Sequence, residues 1–281
     1  MKTEVERLIT VIEEVANGVY SNDIMEFTKP GYHQIMQRVA EAVGMMMVKV
    51  EAREHRLEQL IEELKNLNDQ LKNNILKTVV TIANALGARD NYTEGHAVRV
   101  AAYAVRLAKR LGLPERQIEH IRIGAVLHDI GKIGFSDRLF SNQDFRISDD
   151  MLQEIRSHPQ LGINILKDLD FLGPALEYVH YHHERLDGSG YPCGLHGNEI
   201  PLGAQIVSIA DCFDAITTER CYRKGRNCSE AFSILRDMSG THMAPQLVES
   251  FIEEVEENGV IDGSKEISAT TSDLHTLLAE G

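Results

Sequence analysis

Between residues 39 and 71, apolar side chains recur at alternating intervals of four and three. Val39, Val43, Met46 and Val50 are followed by Leu57, Leu60, Leu64, Leu67 and Leu71, with Arg53 as the one polar member. A 3.5-residue period lays these side chains along one stripe of a helix, and the residues between them are mostly Glu, Lys, Arg, Asn and Gln. A lone helix leaves such a stripe in water, so the pattern predicts a partner, most simply a second copy in parallel. An earlier run, Val5, Leu8, Ile12, Val15 and Val19, has the same spacing and stops at Gly18 and the polar Ser21-Asn22-Asp23. From about residue 72 the pattern changes. Ala- and Val-rich stretches at 79–88, 97–111 and 118–128 are apolar on more than one face, as in buried helices. Gly112 and Pro114 punctuate two of them. No run alternates apolar and polar residues as a half-buried strand would, and the one extended candidate is 200–202. The expected fold is all-α: a helical dimerisation region over 1–72, a helical domain over 73–259, and a mobile Ser/Thr/Gly-rich tail over 260–281.

Charge narrows the partners. With 29 Lys+Arg against 43 Asp+Glu the net charge is −14, which argues against DNA or an anionic membrane surface as a partner. A small phosphate ligand remains compatible, because Arg220, Arg223, Lys224 and Arg226 place four cations within seven residues. A solvated surface run is the plainer reading of that cluster. No apolar run is long enough to span a membrane, and Met1-Lys-Thr-Glu-Val-Glu-Arg7 lacks the apolar core of a signal peptide. The four cysteines form no C-x-x-C pair and read as reduced thiols, so a cytoplasmic location is expected. The informative excess is twelve histidines, and they are clustered.

His96, His128-Asp129, His158, His182-His183 and Asp211 punctuate the second region. Any one of them alone reads as a satisfied core or surface residue. Together, imidazole and carboxylate without cysteine suit Mn, Fe or Zn and argue against a structural thiolate site. His128-Asp129 closes an apolar helix, where a polar pair is costly unless it is compensated. Adjacent helical residues diverge by about 100°, so Asp129 can bridge two ions while His128 holds one. His182-His183 repeats the device, with His180 and Glu184 as neighbouring support. Asp211 follows the apolar stretch 206–210.

His128-Asp-Ile-Gly-Lys132 and His182-His-Glu-Arg-Leu-Asp-Gly-Ser-Gly-Tyr-Pro192 resemble the two signatures of the HD-GYP family. Further matches are Arg89-Asp-Asn-Tyr-Thr-Glu-Gly-His96, His158-Pro-Gln-Leu-Gly162, Ile200-Pro-Leu-Gly-Ala204, Ile209-Ala-Asp-Cys-Phe-Asp-Ala215 and Thr217-Thr-Glu-Arg-Cys-Tyr-Arg-Lys224. The resemblance covers about 73–257 and implies a metal-dependent phosphodiesterase that opens cyclic di-GMP to linear pGpG or GMP. It implies two divalent ions, Fe or Mn, held by His96, His128, Asp129, His158, His182, His183 and Asp211. Asp129 and a water would bridge them. Lys132 would stabilise charge at the attacked phosphate. Asp214 would orient the nucleophile or a ligand histidine. Arg220 and Arg223 would grip phosphate, and Gly190, Tyr191 and Pro192 would form the lip of the substrate pocket.

Some family members carry a Glu four residues before the first histidine and bind a third ion. Tyr92 stands there, so a two-ion site is expected. Cys221 replaces a usual proline, and Gly240-Thr-His-Met-Ala-Pro245 lacks the usual aromatic and acid. The first region resembles a HAMP module: Glu14–Ser21, then Lys29–Ile35 in an extended connector, then the heptad helix. A dimerisation stalk without a signalling role accounts for the same residues. Two other functions stay open: an adaptor that binds nucleotide or signalling partners without turnover, and hydrolysis of a different cyclic dinucleotide.

Overall fold

The computed structural model describes residues 2–20, 22–89, 95–140, 148–218 and 225–261. No strand occurs among them, and none of their helices is long and apolar enough to cross a membrane. The chain divides into two compact units, one ending at Leu71 and the other beginning at Lys72.

The first unit holds α1 (Lys2–Ala16), a 3-10 helix (Asn22–Thr28) and the part of α2 (Gln34–Arg89) up to Leu71. α1 stops where Gly18 takes φ 83°, which lets the Val19 N–H reach back 2.9 Å to the Glu14 carbonyl. Leu8, Val11 and Val15 pack with Ile24, Phe27, Met36, Ala40 and Met47 in one buried cluster. The HAMP likeness implies an extended connector at Lys29–Ile35; Gln34 and Ile35 already open α2, and the segment before the connector, 22–28, is the 3-10 helix. Residues three apart in a 3-10 turn share a face, so Ile24 and Phe27 both enter the core. Arg7 closes the rim, 2.6 Å from Glu26 and over the Phe27 ring. On α2 the seam leucines lie bare in the single chain, with Leu57 58%, Leu64 65% and Leu71 59% exposed.

The second unit contains α3 (His96–Arg110), α4 (Glu115–Leu127), a 3-10 turn (Ile130–Gly134), α5 (Asp137–Phe140), α6 (Asp149–Arg156) and α7 (His158–Leu166). After a second 3-10 turn (Asp170–Leu172) come α8 (Ala175–Tyr181), a third (Gly197–Glu199), α9 (Leu202–Thr217), α10 (Cys228–Met238) and α11 (Pro245–Asn258). α9 is the axis of the core. Its Ile206, Val207, Ile209, Ala210 and Phe213 are fully buried, and α3, α4, α8, α10 and α11 pack around it. Phe213 meets Tyr103 and Phe251 at 5.2 Å each and Phe232 at 5.9 Å. Gly112 at φ 68° ends α3, and Pro114 caps α4. The extended candidate near 200 is a buried linker residue, Ile200, that leads into α9. Ile261, within the expected tail, is buried and donates its N–H to Tyr103 Oη at 2.9 Å. An apolar side chain beside an open hydroxyl acceptor docks rather than stays wet.

One close approach positions the functional end. The 3-10 turn after Asp129 lies against the start of α7 so tightly that a Cβ on Gly131 would overlap the His158 carbonyl oxygen and come 2.7 Å from the Gly162 nitrogen. Backbone cannot yield as a side chain can. At Gly134, three residues on, a Cβ would meet only the tip of Leu161 at 2.9 Å. Gly131→Ala is therefore expected to destabilise the protein by about 1–3 kcal/mol and lower the melting midpoint by several degrees. Gly134→Ala should lie within about 0.5 kcal/mol of wild type, and thermal unfolding of the two variants side by side checks the contrast.

Candidate metal centre

The predicted ligands sit at helix ends. His128 is the C-terminal cap of α4 and His182 that of α8, while His96 and His158 are the first residues of α3 and α7. The last carbonyls of a helix have no intrahelical partner. Three histidines use them. His128 Nδ1 lies 2.7 Å from the Ala125 carbonyl, His158 Nδ1 2.7 Å from Ile155, and His182 Nδ1 2.8 Å from Val179. A carbonyl only accepts, so each Nδ1 carries the proton and each Nε2 presents a lone pair.

Those lone pairs converge with two carboxylates. His96, His128 and Asp129 form one group of donors and His158, His182 and His183 another, each within 4.8 Å. Asp129 faces both: Oδ2 is 3.3 Å from His128 Nε2 and 3.9 Å from His96 Nε2, and Oδ1 is 3.5 Å from His158 Nε2. Asp211 Oδ1 joins the first group, 3.2 Å from His96 Nε2 and 3.8 Å from His128 Nε2. The histidines at 96, 128, 158 and 182 are buried, whereas Asp129 and Asp211 keep 17% and 20% of their side chains open. Lys132 Nζ lies 2.5 Å from Asp129 Oδ2.

This donor set fits divalent cations. His128 Nε2 is buried and has no hydrogen-bond partner among the described residues. His158 Nε2 and His182 Nε2 face each other at 3.3 Å with both protons on the far side of the rings, an arrangement that repels unless a positive charge lies between. Burial pushes His158 down, His182 well below the ordinary histidine range and His183 to about 3, which keeps them neutral. Burial would raise Asp129 and Asp211. The neighbouring His128 and the Lys132 ammonium for Asp129, and the His96 hydrogen bond with the neighbouring His128 for Asp211, hold both well below the carboxylate range. His96 differs: burial lowers it, but hydrogen bonds to Asp211 and Asp214 outweigh this and lift it to about 9.

The remaining predicted residues fall as follows. Asp214 is buried in α9 and accepts His96 Nδ1–H at 2.7 Å, and Arg99 closes on it from the other side. Sequence reasoning passed over Arg99, although it lies three residues after His96 on the same helix face. The Tyr191 ring stacks on His183 at 4.8 Å and 27°, with the Arg156 guanidinium 5.8 Å from its centroid. Gly190 lies directly on the Glu184 and Arg185 backbone, and the Tyr191–Pro192 bond is cis. Glu184 accepts the N–H groups of Cys193 (2.6 Å), Gly194 (3.2 Å) and Leu195 (3.0 Å), so it fixes the loop that carries Tyr191. His180 bonds Gln160 at 3.0 Å and ties α8 to α7. Arg220, Arg223, Tyr92 and Cys221 lie outside the described residues.

Metal binding at His96 requires a free Nε2 lone pair. Below about pH 9 the metal-free ring is protonated, so each ion entering the first group should displace close to one proton. The affinity for Mn(II) at that group is expected to rise by up to about tenfold per pH unit between 7 and 9. Calorimetric titration in buffers of different ionisation enthalpy reads that proton directly.

Comparison with known proteins gives a consistent result. A family profile described as HD domain matches residues 57–247. A cyclic di-GMP phosphodiesterase of Pseudomonas aeruginosa is 33% identical over 208 residues, which cover 72% of this chain and 50% of that protein. A 3′3′-cGAMP-specific phosphodiesterase of Vibrio cholerae is 34% identical over 194 residues, 68% of this chain and 37% of that protein. The chain thus spans half or less of the length of these relatives. A solved structure of a cyclic GMP-AMP specific phosphodiesterase of V. cholerae shares the fold with a TM-score of 0.55 at 22% identity, covering 70% of this chain and 52% of that one.

Proposed function

The chain belongs to the HD domain family, and from that premise we propose that it is a metal-dependent phosphodiesterase that opens cyclic di-GMP to linear pGpG or GMP. The observation that carries this reading is the pair of donor groups sharing one carboxylate, with the two oxygens of Asp129 turned to opposite groups. His96, His128, Asp129 and Asp211 would hold one divalent ion, and His158, His182, His183 and Asp129 a second, Fe or Mn by donor type. Bound there, such ions supply charge against the phosphate oxygens and an activated water.

The chain's own residues do the rest. Burial keeps His158, His182 and His183 neutral, and carbonyl hydrogen bonds aim His128, His158 and His182 before any ligand arrives. Lys132, already on Asp129, places a cation beside the position where charge develops on the phosphate. Tyr191 and Pro192, held by Glu184, wall the opening next to His183. Arg220 and Arg223 are proposed to grip the phosphates. The expected result is turnover of cyclic di-GMP by metal-stripped protein reloaded with Mn or Fe anaerobically, with products separated by chromatography. His128→Ala and Asp129→Ala should each lower the rate by at least about a hundredfold. Two bound ions and no product would favour the adaptor reading. Faster turnover of 3′3′-cGAMP would favour the mixed dinucleotide, the activity named for the V. cholerae relative.

The bare α2 seam supports a parallel homodimer through the N-terminal helices. Light scattering should give about twice the 31.5 kDa chain mass. Leu60→Asp with Leu64→Asp should return it to one chain mass, and a wild-type monomer at micromolar concentration would refute the dimer.

A further inference from the structure

Four histidines have their Nδ1 proton assigned by a hydrogen bond, but only three give it to backbone. His96 opens α3, and a helix N-terminus offers free N–H groups and no free carbonyl. Its acceptor has to come from elsewhere, and it is the Asp214 carboxylate on α9, 118 residues away. A carboxylate on a side chain can swing as a backbone carbonyl cannot. Arg99 removes that freedom: its Nε donates to Asp214 Oδ1 at 2.6 Å and its Nη2 to Asp214 Oδ2 at 2.9 Å, a two-point fork on both oxygens. The same Nη2 lies 3.3 Å from Thr218 Oγ1, the residue that caps α9. The pair is enclosed, with Arg99 12% and Asp214 2% exposed at the side chain.

We infer that Arg99 is a positioning residue for the metal centre: through Asp214 it sets the orientation of His96, and through Thr218 it fixes the distance between α3, which carries His96, and α9, which carries Asp211. With His96 Nε2 and Asp211 Oδ1 3.2 Å apart, the two helices contribute neighbouring donors to one group. A slack contact between the helices opens that group and leaves the other intact, since His158 and His182 take their orientation from their own backbone. Arg99 acts on the centre through Asp214 and Thr218.

This inference rests on the metal centre proposed above, and Mn(II) binding to the full-length protein, followed by calorimetry and electron paramagnetic resonance, separates the two. Wild type is expected to bind two ions; failure to bind any would overturn the metal centre and this inference with it. Arg99→Met should weaken one ion by about 10–100-fold and leave the second within twofold. Arg99→Lys keeps the charge but cannot span both oxygens, so it should recover only part of that loss. In metal-free wild type, the His96 Nδ1 proton should give a far-downfield NMR signal that Arg99→Met loses while its helix content stays unchanged. Both ions binding Arg99→Met as tightly as wild type would overturn the role, as would complete rescue by Arg99→Lys, which also serves if the methionine variant does not fold.

Discussion

The centre depends on one small interaction repeated three times: an imidazole at the end of a helical segment giving its Nδ1 proton to a carbonyl three residues earlier. The carbonyl is one the helix cannot satisfy, so the bond relieves the helix end while it fixes the tautomer and ring of the histidine. Each such bond contributes about 1 kcal/mol net, yet breaking it would strand a buried carbonyl at a cost of about 1–3 kcal/mol. The helix ends thus hold lone pairs pointed at one another with no other reason to meet. Their mutual repulsion is tolerable because α9 and the tight contact at Gly131 bind the surrounding helices into one core.

Much of this is legible in the sequence because the donors come in short local units. His128-Asp129 and His182-His183 each put two ligands at a helix end, and the length of the second motif makes its resemblance specific. The helical class follows from the 3.5 and 3.6 periods, and the end of α3 from Gly112. What the sequence does not disclose is contact between distant segments. Arg99 reaches Asp214 across 115 residues, and no periodicity announces such a pair. Glu184 reads as support for a ligand until the structure shows its oxygens turned to three N–H groups of the next loop. The 3-10 helix at 22–28 goes unread for a different reason. Ile24 and Phe27 are spaced for a 3-10 turn, a period that short windows seldom separate from noise.

The acidic chain and its proposed phosphate-bearing ligand are reconciled locally. A net charge of −14 acts over distances that salt screens within about 8 Å. Inside that distance the balance is different. Asp129 and Asp211 are the acids facing the donors, and Asp214, behind His96, is neutralised by Arg99. Against these stand Lys132 on Asp129 and Arg156 over Tyr191, and the proposed pair of divalent ions would add four positive charges. Without ions the centre is close to balanced, with His96 as the proton-carrying cation between two carboxylates. With them it would become strongly positive where Asp129 and Asp211 meet solvent. A ligand carrying two phosphates would then be drawn more strongly to the loaded form, so metal occupancy would bias where on an acidic surface an anion binds.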